Sequence, residues 1–194
     1  MPAARESLLD SALSALAELP WSGVRMVDVA SAAGVSRQTL YNEFGSKDGL
    51  ARALMRREAD RYLLGVDRAL TGPTSCGERL VGVAEWTVDA AHSYPLVRAL
   101  LTGCWPERLP APGPAARSVG SHIPAQRRAD AGPPTPAELI AAVRHRAALA
   151  PAVGATEEES TEFIRCCEVA VRLALSHVVA PGDQRVDRLV LGSV

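Results

Sequence analysis

Residues 34–50 read GVSRQTLYNEFGSKDGL. Ser36, Arg37, Gln38, Thr39, Tyr41 and Asn42 crowd hydrogen-bonding groups into about two turns of a helix. Arginine and glutamine can form two-point contacts with guanine and adenine edges, and threonine can meet a thymine methyl. Ser36 and the free N–H groups of a helix start suit a phosphate. Lys47, the only lysine in the chain, stands at the start of the following helix, placed to reach a DNA backbone. An ordinary solvated helix between two turns fits the same spacing.

Two neighbouring elements must hold this helix. A short helix over 26–33 is expected to bury Val29, Ala30 and Ala33, with Ala30 small enough for a close helix crossing. Gly34, four residues later, supplies the permissive backbone of the turn. Ser36 stands where an N-cap belongs, and Leu40, with Val35 and Phe44, plugs the third helix into the core. Gly45 breaks that helix and Ser46 caps the next, over 47–70, with Leu50, Ala53 and Leu54 facing inward. Ahead of them a helix over 5–19 carries Leu9, Ala12, Leu13 and Leu16 on one face and stops at Pro20.

The later chain is helical too. Ser75/Glu78, Thr135/Glu138 and Thr156/Glu159 have capping-box spacing and open helices expected to end near His92, Ala150 and Val179. A short helix over 96–101 follows SYP, and another is expected over 183–191. Eight of the fourteen prolines fall between Pro106 and Pro136, which reads as a long connection. No strand is expected, so the fold class is all-α. A three-helix helix-turn-helix domain is expected over 1–46, a connecting helix over 47–70, and a second helical domain over 71–194.

Net charge is −1 over 194 residues, so any nucleic-acid binding must be local in its electrostatics. Cys76, Cys104, Cys166 and Cys167 lack metal-ligand spacing and read as small buried hydrophobes in a reducing cytosol. The N-terminus is neither a signal peptide nor a membrane span, which predicts a cytoplasmic protein with no membrane partner. No metal-spaced cluster, phosphate loop or nucleophile–base pair is found, so neither an enzyme nor a cofactor is expected.

VDVASAAGVSRQTLYNEFGSKDGLARAL, residues 27–54, resembles the DNA-binding segment of the TetR/AcrR family of bacterial transcriptional regulators. The resemblance is dense over the first 55 or so residues and loose beyond, although residues 171–181 are similar to a dimer-forming penultimate helix. It implies that Ser36, Arg37, Gln38 and Thr39 face bases or adjacent phosphates, that Tyr41 places its hydroxyl on phosphate, and that Ser46 and Lys47 also contact phosphate. Arg25 replaces the family's usual threonine and either clamps a phosphate or enters the groove edge. Asn42 can still hydrogen-bond to DNA. Glu43 would be repelled by phosphate unless it pairs with Lys47 or accepts from a cytosine amine. Gly49, where an acidic residue is common, carries no expected function.

For the second half the resemblance implies a ligand cavity and a dimer. Candidate lining residues are Trp86, Cys104, Trp105, Ile140, Arg144 and Phe163, with His92, Tyr94 and His145 as weaker members. Their apolar lean suggests a lipophilic small-molecule effector. The helix from Thr156 would be roughly 35 Å long. Its stripe of Phe163, Cys167, Val171, Ala174 and Val178, with Ala170, is expected to meet a second copy. The leading expectation is a repressor that binds palindromic double-stranded operator DNA as a homodimer and is released by the effector. The alternatives are an effector-independent architectural DNA-binding protein and a small helical enzyme carrying a helix-turn-helix.

Overall fold

The computed structural model describes residues 2–72, 74–113, 132–150 and 156–193. Its helices are α1 (Pro2–Glu18), α2 (Met26–Ala32), α3 (Arg37–Phe44), α4 (Lys47–Leu70), α5 (Cys76–Ser93), α6 (Pro95–Thr102), α7 (Pro136–Leu149), α8 (Glu157–Val179) and α9 (Val186–Leu191), with a 3-10 turn at Trp21–Gly23. No strand occurs among the described residues, and the fold is all-α. The chain forms two compact units, one of Met1–Arg57 with Trp105–Pro133, the other of Glu58–Cys104 with Pro134–Val194. Residues of α4 therefore belong to both.

In the first unit α1 contributes Leu8, Leu9, Ala12 and Leu16 to a core shared with Val29 and Ala30 of α2, Leu40 and Phe44 of α3, and Leu50 and Leu54 of α4. Ala33, Leu13 and Ala53, expected inward, are only half-buried. Much of the proline-rich stretch lies outside the described residues, but its first part joins this unit. The Trp21 amide donates to the Arg108 carbonyl (2.8 Å), and the Arg108 guanidinium donates to the Ala17 and Glu18 carbonyls at the end of α1 (3.4 and 3.0 Å). A cation at a helix C-terminus satisfies orphan carbonyls and opposes the negative end of the helix dipole.

The second unit is built around α5, which buries Leu80, Val83, Ala84, Thr87, Val88, Ala90 and Ala91. All three expected capping boxes form, each with serine or threonine accepting the third amide while the glutamate accepts the cap amide. Between α4 and α5 the approach is close because Gly65 has no side chain. A Cβ there would lie 2.0 Å from Cε2 of Trp86, whose indole N–H donates to the Tyr62 carbonyl at 2.9 Å. Tyr62 itself is 1% exposed. The Thr87 hydroxyl donates to the Val83 carbonyl (2.7 Å), so the Tyr62 hydroxyl donates to Thr87 Oγ1 (3.0 Å), and both buried hydroxyls are satisfied.

Gly65→Ala is expected to lower stability by about 1–3 kcal/mol, because the indole must leave its place and its hydrogen bond. The cost should be smaller in a Trp86→Ala background. Equal costs in urea titrations of the two backgrounds would show that the indole is not what Gly65 accommodates.

The capping-box donors, backbone amide first and hydroxyl second, hold the carboxyls of Glu78, Glu138 and Glu159 below the ordinary glutamate value. Groups depressed in the folded state stabilise it above their unfolded pKa, and that stabilisation is lost as pH falls through the folded value. Unfolding free energy should therefore fall on acidification below about pH 4.3, the ordinary unfolded value for glutamate. Replacing the three glutamates by glutamine, which still accepts but does not titrate, should flatten that fall. An unaltered pH profile would assign the acid sensitivity to other carboxylates.

Candidate nucleic-acid interface

The turn between α2 and α3 is set by local backbone chemistry. Gly34 has φ +68°, its amide donates to Ser31 O (3.1 Å), and the Val35 amide donates to Ala30 O (3.0 Å). This is a Schellman ending, which needs a left-handed residue after the helix cap. A Cβ at Gly34 would meet nothing within 4 Å, so conformation and not space requires glycine. Ser36 then accepts the Thr39 amide (3.0 Å), and the two hydroxyls lie 2.9 Å apart. Leu40 (0% exposed) and Phe44 (9%) anchor the inner side of α3.

That anchoring turns Arg37, Gln38, Tyr41 and Asn42 outward, with Tyr41 49% exposed. Ser36 is exposed beside them and Thr39 is half-buried. Gln38 Nε2 donates to Asn42 Oδ1 at 2.8 Å, which orients two amides and leaves Gln38 Oε1 and Asn42 Nδ2 available. Arg37 makes no hydrogen bond or ion pair among the described residues, so its guanidinium fork is free. Lys47 lies 5.2 Å from the Trp21 ring centroid and donates to Ser22 O at 3.3 Å, keeping further N–H groups to offer. Arg25 is exposed at the start of α2, 3.9 Å from Asp28.

The expected partner of Glu43 is corrected. Its carboxylate meets Arg5 of α1 at 3.5 Å, and the same guanidinium lies 4.7 Å from the Phe44 ring centroid. Glu43 is thus turned toward α1, and Lys47 is engaged elsewhere. Gly49 also acquires a role that sequence reading missed. A Cβ there would sit 1.8 Å from the Phe44 carbonyl oxygen, so only glycine lets α4 start this close to the end of α3. Ser46 accepts the Gly49 amide at 3.1 Å.

The expected ligand-lining residues stand in different surroundings. Trp86 is committed to Gly65 and the Tyr62 carbonyl. Cys104 is exposed, and Trp105 belongs to the first unit. Ile140 is half-buried on α7. Arg144 lies 3.2 Å from Glu168, which Arg172 also holds at 2.8 Å, so its charge is already balanced. Phe163 lies beneath the Arg79 guanidinium, 4.8 Å from it. His92 and His145 are exposed.

The expected dimer stripe is corrected in the same way. Cys167, Ala170, Val171 and Ala174 are 0% exposed and Val178 1%, because α8 packs this side against the other helices of its own unit. The small residues permit close packing, and these five are covered within the chain, while Phe163 is half-buried. Burial also pushes the Cys167 thiol up to about 12, as fits a buried hydrophobe. Cys76 and Cys104, expected to be buried, are exposed.

Two helices joined by a Schellman turn, with the second presenting hydrogen-bonding side chains from a buried base, define a helix-turn-helix unit. Residues 8–54 match the model of the bacterial regulatory proteins, tetR family. The transcriptional regulator AlkX of Mycobacterium tuberculosis is 42% identical over 101 residues, which are 51% of this chain and 47% of that protein. The match thus spans about half the length of that relative. The crystal structure of the TetR family repressor AlkX from Dietzia sp. superposes with TM-score 0.51 at 22% identity, covering 97% of this chain and 90% of that one. FadR of Bacillus subtilis, solved with stearoyl-CoA, gives TM-score 0.50 at 11% identity, covering 96% and 94%. These likenesses establish the fold. Among the described residues no helix is long and apolar enough to cross a membrane, and no cluster of His, Cys, Asp or Glu fits a metal.

Asn42→Ala should weaken binding to the preferred DNA site by about 0.5–1.5 kcal/mol, in part by releasing Gln38. In a double-mutant cycle the Gln38→Ala and Asn42→Ala costs should add to more than the double mutant loses. Strict additivity in DNA titrations would show that the amide pair does not act as a unit.

Proposed function

We propose that this chain is a transcriptional repressor that binds operator DNA as a homodimer and is released by a small lipophilic effector. The observation that carries the DNA reading is the outward set on α3: a free Arg37 fork beside a pre-oriented Gln38–Asn42 pair. Arg37 and Gln38 read bases, Tyr41, Ser36 and Lys47 hold phosphate, and Thr39 supplies methyl contact or positioning. Arg25 adds a phosphate contact at the flank. Residues 1–46 are the recognition domain, 47–70 the connection, and the later helices carry dimerisation and effector response.

Control runs through α4, whose residues 47–57 pack in the first unit and 58–70 in the second. A ligand that prefers one arrangement of α4 must change operator affinity by the ratio of its two affinities. A coupling of roughly 1–3 kcal/mol gives about 5- to 150-fold release. The Dietzia AlkX repressor is implicated in n-alkane biodegradation and B. subtilis FadR was solved with stearoyl-CoA, so alkanes and acyl compounds are the first probes. The second copy docks on the outward side of α8, where Val169 and Leu173 are half-buried and Val179 is 65% exposed.

Operator titration tests the DNA reading. Arg37→Ala should cost ~1–3 kcal/mol and relax selection at one position per half-site, and Lys47→Ala should flatten the log-affinity slope against log salt by about 0.9. An unchanged ranking of operator variants and an unchanged slope would reduce α3 to a solvated helix. By light scattering, Leu173→Glu should give folded monomers that lose operator affinity, whereas Ala174→Glu should unfold its unit. A dimeric Leu173→Glu protein would place the interface elsewhere.

A further inference from the structure

Arg79, in the first turns of α5, is 8% exposed and is 4.8 Å from the Phe163 ring centroid. Its Nη1 donates to Leu70 O at the end of α4 (3.2 Å) and to Ala150 O at the end of α7 (3.3 Å). Both hydrogens of that nitrogen are thereby used, and two helix C-termini fix the plane of the guanidinium. The opposite edge is different. Among the described residues Nη2 meets only the Cys76 sulfur at 3.3 Å, and Nε has no hydrogen-bond partner although it is fully buried. No carboxylate is paired with Arg79 among the described residues.

Nε and Nη2 together form the side-on fork with which arginine grips a two-oxygen anion. A thiol is a weak acceptor and can occupy only one tooth of that fork. Burying a guanidinium with an unsatisfied N–H is costly, so an acceptor that fills both teeth gains what the folded chain leaves unmet. Access lies by Cys76, which is exposed. Two exposed apolar side chains stand nearby: Leu191 of α9, 62% exposed, comes within 3.7 Å of a Cβ placed on Gly77, and Leu149, 69% exposed, precedes Ala150.

We propose that the Nε/Nη2 edge of Arg79, reached past Cys76, is a binding site for the carboxylate of an amphipathic organic acid. The acid's apolar body lies over the Leu149 and Leu191 side of the unit. The proposal rests on the effector reading above and names its chemical class. Binding swings the Cys76 thiol aside, places two oxygens on the fork, and leaves the Nη1 bonds to α4 and α7 in place. Because Leu70 is the last residue of α4, the carboxylate is coupled to that helix through one guanidinium.

The test compares decanoate with decanol, matched in apolar length, and with inorganic phosphate, an anion without an apolar body, by calorimetry on the full chain. Decanoate should bind at least about tenfold tighter than decanol, and phosphate weakly. Arg79→Met should reduce the acid-to-alcohol ratio to about one, and Arg79→Lys should restore only part of it. Because Arg79 joins three helices, Cys76→Ala provides a variant that leaves its carbonyl bonds untouched. It should tighten decanoate binding a few-fold by removing the competing sulfur. Equal binding of acid and alcohol, undetectable decanoate binding, phosphate binding as tightly as decanoate, or a ratio preserved in Arg79→Met would overturn the site. Operator titration is read separately. Decanoate bound through Arg79 without operator release would refute the effector reading and leave the site, whereas release by neutral alkane alone would do the reverse.

Discussion

The last carbonyls of an α-helix have no partner inside the helix, and in this chain arginine supplies several of them. Arg108 donates to the end of α1, Arg79 to the ends of α4 and α7, and Arg98 to Val178 O near the end of α8 (3.2 Å). The guanidinium suits this position because it is always charged, donates in several directions and opposes the helix dipole. Helix starts are handled by a different chemistry, through Ser36, Ser75, Thr135 and Thr156. At α3 the Ser36 cap and Gly45 set where the helix begins and stops, and therefore which side chains it brings to the surface.

Arginine also explains how a chain of net charge −1 can present a local cationic surface. Arg57 is held by Asp10 (2.7 Å), Arg146 by Asp67 (3.0 Å), Arg172 by Glu168 (2.8 Å), and Arg165 by Glu162. Arg5 is balanced by Glu43. These five carboxylates are engaged within the fold, and Arg37 is left with no such partner among the described residues. Exposed pairs of this kind contribute little stability, so their significance here is where they leave positive potential uncancelled.

Features governed by near neighbours in sequence were legible. The Gly34 turn, the Ser36 cap and the three capping boxes each depend on residues at most five apart, and their patterns specify them. Contacts across the fold were not. The 38-residue separation of Arg5 and Glu43 leaves no local signature, and Lys47, at helical spacing, was the wrong partner. Gly65 and Gly49 gave no sign that Trp86 and the Phe44 carbonyl occupy the space of their missing side chains. The apolar stripe of α8 was expected to meet a second copy, whereas Cys167, Ala170, Val171, Ala174 and Val178 are covered within the chain, because periodicity reports that a face is covered but not by what. Arg79 escaped notice because an arginine in an early helical turn reads as solvated, and its burial depends on three other helices.

The return of Arg108 to the end of α1 bears on how the protein is made. An emerging chain that has synthesised α1 to α4 already contains the whole recognition sequence, yet the Ala17 and Glu18 carbonyls and the Trp21 amide still await their partners. Those partners arrive some ninety residues later, after α5 and α6 have been produced. Vectorial synthesis therefore completes the first unit only once part of the second has emerged, and the order of maturation is interleaved instead of strictly N-terminal first.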